Sequence, residues 1–136
     1  MNNKHIKLSS APPPTTPKWL KLLWVFYKYI DISPVRPKQL WNIYSPRVDI
    51  EKAGIYNYDT FRIMIGWLYK VGYLYRFGEV SWMGYSYMIN MSGLRKLCQH
   101  NLITKDQESY ARMDVLRRLA EVDEERYRRV LARMKF

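Results

Sequence analysis

Between Tyr58 and Leu97 a helical apolar repeat, a pair of aromatic-rich segments and a second short helix follow one another with no room for a linker. From Tyr58 the apolar residues Phe61, Ile65, Leu68 and Val71 recur at spacings of four and three, which places them on one face of a helix. Asp59 and Thr60 supply polar groups at its start, and Gly72 is suited to its stop. Immediately afterwards, residues 73–77 and 85–90 are rich in aromatic and β-branched side chains and flank a centre containing Gly78 and Gly84, the pattern of a hairpin. These constraints select a mainly α chain carrying a small β-hairpin, an α+β class.

The surrounding segments complete the organisation. Residues 1–17, with a Pro12-Pro13-Pro14 run and Pro17, have too little apolar content to pack, and a disordered arm is expected there. Lys4 and Lys7 flank no continuous apolar run, so the arm does not read as a signal peptide. Lys18 to Ile30 interleaves Lys18, Lys21 and Lys28 with aromatics, as a membrane-surface helix does, yet it is too short to span a bilayer. Its apolar residues run nearly all round, which favours a core helix. Lys38 to Tyr44 reads as a second helix, opened by Pro37 and closed before Pro46, turning Leu40, Trp41, Ile43 and Tyr44 inward. Arg47 to Tyr56 is expected to be a loop or an extra turn. The body therefore spans 18–100, and 101–136 forms a C-terminal amphipathic helix.

The chemistry available is narrow. Of 136 residues, 23 are Lys or Arg and 12 Asp or Glu, giving +11, with +4 in residues 1–33, +5 in 34–100 and +2 in 101–136. A basic body is attracted to polyanions, nucleic acid or an anionic membrane surface. The single cysteine, Cys98, excludes an internal disulfide framework and a CxxC metal motif, and suits a small buried residue in a reducing, intracellular setting. His5 lies in the arm and His100 beside a helix end, so no His–carboxylate–nucleophile set, phosphate-cradling Gly loop or metal spacing emerges. No catalytic residue, cofactor or metal is expected, and a cytoplasmic, non-enzymatic protein follows.

The run from Asp59 to Leu74 resembles the recognition helix of PadR-type and related MarR-type winged-helix regulators, in which a Gly-Thr-aliphatic start, a paired aliphatic centre, a Leu and a Gly followed by two apolar residues occur in this order. Tyr87 to Leu97 is similar to the segment that closes their wing and begins the next helix. The resemblance covers roughly residues 18–100. It implies a winged helix-turn-helix that binds double-stranded DNA as a homodimeric transcriptional regulator and dimerises through a C-terminal helix. Its recognition helix would span about 58–71 and its wing 73–91.

On helical geometry, the face opposite Phe61, Ile65 and Leu68 carries Asp59, Arg62, Ile63, Gly66 and Lys70, with Trp67 at its edge. In a major groove Arg62 would read guanine, Ile63 would touch a thymine methyl, Lys70 would meet a phosphate, and Gly66 would let the backbone come close. Asp59 suits the helix dipole, Thr60 the N-terminal turn, and Arg76 is the basic residue of the hairpin strands. Tyr75 or Trp82, facing outward on the hairpin, would stack on bases or contact a protein. From Lys105 to Met134 a single helix is expected, with Met113, Leu116, Ala120, Tyr127, Val130 and Met134 forming a coiled-coil-like dimerisation seam interrupted at Asp123. Arginines 117, 118, 126, 128, 129 and 133 alternate with glutamates in the pattern of a salt-bridged face. A fold-back of that helix onto residues 19–27 is the competing arrangement. The competing function is a winged-helix protein-interaction or assembly module without specific DNA binding.

Overall fold

The computed structural model describes residues 11–78 and 84–134. It is mainly helical, with one two-stranded antiparallel sheet. Helix α1 (Lys18–Lys28) is the centre of the core: Leu20 and every residue from Leu22 to Tyr27 are buried, as the continuous apolar run predicts. Lys28 leaves the core to pair with Asp49 at 3.0 Å, and the Tyr29 hydroxyl donates to the same carboxylate. No helix among the described residues is long and apolar enough to cross a membrane. Of the expected arm, residues 1–10 lie outside the described residues. The following stretch turns through Thr16 N–H to the Pro13 carbonyl (2.9 Å), and Lys21 Nζ donates to the Pro14 carbonyl.

Helices α2 (Pro37–Asn42) and α3 (Tyr44–Lys52) replace the single helix and loop expected here. Pro46 does not end a helix. It sits in the first turn of α3, where the backbone N–H it lacks would have had no intrahelical partner. Leu40 and Trp41 are buried as expected, but Ile43 lies in extended backbone between the helices and Tyr44 is 82% exposed, so neither faces inward.

Helix α4 (Tyr58–Lys70) is capped by Asn57, whose side chain accepts from Thr60 N–H at 2.8 Å; Asp59 and Thr60 therefore follow the cap and do not form it. Phe61, Ile65 and Leu68 are fully buried, while Val71 is not. Gly72, at φ +95°, turns the chain, and Tyr73 N–H returns to the Leu68 carbonyl. Strands β1 (Leu74–Phe77) and β2 (Ser86–Ile89) then pair in the register Leu74 to Ile89 through Phe77 to Ser86. Far upstream, Val35 exchanges both backbone hydrogen bonds with Tyr87, at 3.0 and 2.9 Å, adding a one-residue third strand to the sheet.

Helix α5 (Met91–Gln99) begins at Asn90, whose amide accepts from Gly93 N–H and donates to the Gly72 carbonyl, each at 2.8 Å. A Cβ at Gly93 would stand 2.5 Å from the Tyr73 carbonyl oxygen, so this contact requires glycine.

The C-terminal region departs most from expectation. It is two helices, α6 (Lys105–Val122) and α7 (Glu124–Arg133), because Asp123 leaves helical geometry and caps α7 by accepting from Arg126 N–H. The face that α6 buries is Ala111, Val115 and Leu119, which join the same core as α1 and α4. Met113 and Ala120 of the expected seam are exposed and Leu116 is half-buried, whereas Tyr127 and Val130 pack against the body. The break at Asp123 thus divides the seam between two directions, and α6 packs against α5 and the turn at Ile30–Ile32. Arg118 fastens it by donating to the carbonyls of Asp31 and Ser33. Arg126 donates to the Arg76 carbonyl at 3.1 Å and lies over the Phe77 ring.

Candidate functional site

The outward face of α4 lies opposite the buried residues Phe61, Ile65 and Leu68. Asp59, Thr60, Arg62, Ile63, Trp67 and Lys70 are all exposed. Gly66 is half-exposed, and a Cβ built on it meets nothing within 4 Å, so no neighbour explains a glycine there. Arg62 stands 3.8 Å from Asp59, both side chains largely in water, a pair too weak to hold the guanidinium against another ligand. Lys70 has no ion pair among the described residues. Lys38, on α2, lies 6.0 Å from the Tyr58 ring at the N-terminal end of α4.

Arg76 is not part of this face. Its guanidinium lies between the rings of Tyr69 and Tyr85, 4.1 Å from each. Burial raises the Tyr87 phenol, and the nearby Arg76 cation pulls it back down in part. A cation so enclosed braces the hairpin against α4. Tyr75 is turned away as well, half-buried near Phe77 and Arg126. Burial raises its hydroxyl, against the opposite pull of Arg126 and Arg133. Trp82 lies outside the described residues.

The structure adds what the sequence reading missed. Trp19, at the start of α1, meets Trp67 edge-on at 5.6 Å, stacks against Tyr73 at 5.9 Å and meets His100 edge-on at 6.4 Å. Together with Thr60, Ile63, Met64 and Trp67 it lines an open groove of about 450 Å³ along α4. Ile63 and Trp67 were visible as an i, i+4 apolar pair on the outer face; nothing in the sequence joined Trp19 to them. The face therefore offers a cationic edge at Arg62 and Lys70 and an apolar edge at Ile63 and Trp67.

Among the described residues no group of His, Cys, Asp or Glu is placed to hold a metal ion. Burial pushes the Cys98 thiol up, and the neighbouring Glu108 carboxylate adds to the shift, which disfavours the thiolate. Of the C-terminal arginines, 117, 118, 126, 128 and 129 pair with carboxylates three or four residues away in the chain. Compared with known protein families, characterised proteins and solved structures, the chain matches none.

Proposed function

We propose that this protein is a winged-helix-type binder of double-stranded DNA that docks α4 in the major groove, in keeping with a regulator of transcription. The observation that carries the reading is the outward face of α4: Arg62, Gly66 and Lys70 lie on one side of a helix that the rest of the described chain leaves uncovered. The Val35–Tyr87 pair supports the winged-helix part, since it supplies the short strand that precedes the helix pair in that architecture and closes it against the hairpin. Arg62 would read a base edge and Lys70 a phosphate. A homodimer remains part of the proposal, with the outward residues Met113 and Ala120 of α6 as its contact and an inverted repeat as its site.

A second reading has its own support. Ile63 and Trp67 are exposed by 64% and 44% and adjoin the Trp19 groove, a surface suited to a protein partner. Duplex titration separates the two. For DNA binding, affinity should fall with salt at a slope in log–log form of about −0.9 per neutralised phosphate. Arg62→Ala should relax sequence preference by about 1–3 kcal/mol, and Lys70→Ala should weaken all sequences alike. A flat salt response, or binding indifferent to both substitutions, favours the protein-interaction reading.

A further inference from the structure

Where the hairpin, α5, α6 and α7 meet, away from α4, there is a cleft of about 400 Å³. Its polar lining comes from Tyr75, Asn90, Ser92, Arg95, Arg112 and Arg133, and no carboxylate lines it among the described residues. This is unlike the rest of the C-terminal region, where arginines are matched to acids three or four residues away in the chain. Arg95 and Arg133 are exposed and have no ion pair among the described residues. Arg112 has only a loose one, 3.9 Å from Glu108, and its Nε is buried with no hydrogen-bond partner. The N-terminus of α5 opens on the same cleft. Asn90 takes up the Gly93 N–H, leaving the N–H groups of Met91 and Ser92, which the helix itself cannot satisfy.

Two guanidinium groups without a counter-charge and a third only loosely paired repel one another, and the positive end of a helix adds to that field. A ligand that relieves this arrangement must be an anion with several acceptor oxygens. A carboxylate offers two oxygens on one edge; a terminal phosphate offers three, spread to meet both arginine forks and backbone N–H groups. The volume is that of a small-ligand pocket. We propose that this cleft binds a phosphate group, held by Arg95, Arg112 and Arg133 at the start of α5. The group would come from a small phosphorylated molecule or from a nucleic-acid backbone, since the chemistry recognised is the same. The proposal uses no residue of α4 and does not rest on the reading of that helix.

The test is calorimetric titration of the full chain with pyrophosphate at low salt, beside the double variants Arg95→Gln/Arg133→Gln and Arg62→Ala/Lys70→Ala. All four positions are exposed, so the core is untouched. Saturable binding of one pyrophosphate per chain is expected. It should be weakened at least about tenfold by Arg95→Gln/Arg133→Gln and changed by less than about twofold in the α4 variant. No saturable binding at millimolar pyrophosphate, or equal loss in both variants, overturns the proposal. With binding established, a duplex displaced by pyrophosphate and weakened by Arg95→Gln/Arg133→Gln identifies the source as a backbone phosphate. A duplex affinity indifferent to both identifies a small phosphorylated molecule.

Discussion

The fold changes the chemistry of Tyr27 plainly. Burial, and then the nearby Asp114 carboxylate, push its hydroxyl from the ordinary value of 10.0 up to about 12. Tyr29 is raised too, by burial first and then by the hydrogen bond to Asp49 and its charge. The folded chain therefore holds protons that the unfolded chain releases near pH 10. This contribution to stability is complete below pH 10 and is lost as pH rises toward 12, because there the unfolded state binds fewer protons. Urea midpoints measured from about pH 9 to pH 11.5 should fall, each tyrosine contributing at most about 1.4 kcal/mol per pH unit. Tyr27→Phe keeps the ring and should flatten the slope; an unchanged slope would mean that its hydroxyl is not desolvated. No such statement was available from sequence. Tyr27 reads there only as one more aromatic in an apolar run, and Arg76 reads as a free hairpin cation, although the aromatics that enclose it are spread from Tyr69 to Tyr87.

Whole elements were legible where one repeat had one interpretation. The buried set Phe61, Ile65 and Leu68, the Gly72 stop, the two strands and the core helix at 18–28 all follow from spacing and side-chain shape. Legibility failed where the code permits two answers. A proline ends one helix or begins another, and Pro46 does the latter. Two sets of α6 residues follow helical spacing, Met113, Leu116 and Ala120 on one side and Ala111, Val115 and Leu119 on the other. Only contact with the body decides which is inside. The outer face of α4 follows from spacing, but its groove does not, because Trp19 lies about forty residues upstream. Gly66 tests that face at the level of the element. With open space around it, Gly66→Ala should stabilise α4 by about 1 kcal/mol, read as a higher urea midpoint. If the helix backbone approaches a duplex there, the same variant should bind DNA more weakly despite its greater stability. Greater stability with undiminished binding would remove the glycine from the interface.

For the molecule as a whole, the sequence suggests a self-sufficient body over 18–100 with an appended helix, and the structure instead has one core. Val115 and Leu119 are wholly buried in it. Each should contribute about 1.5–3 kcal/mol, a large share of the roughly 5–15 kcal/mol that holds a typical domain together. Deleting residues 105–136 is therefore expected to abolish or severely depress the cooperative thermal transition seen by circular dichroism. A truncated chain melting within a few degrees of the intact one would restore the idea of an independent body. The Arg118 contacts have a consequence for the newborn chain. Its partners, the carbonyls of Asp31 and Ser33, leave the ribosome some 85 residues before it does. Until α6 follows, α5 and the turn after α1 lack their cover. A synthesis stall before residue 105 would thus leave a sticky, uncovered body, a substrate for chaperones, and α6 and α7 would act as the latch that ends that vulnerability.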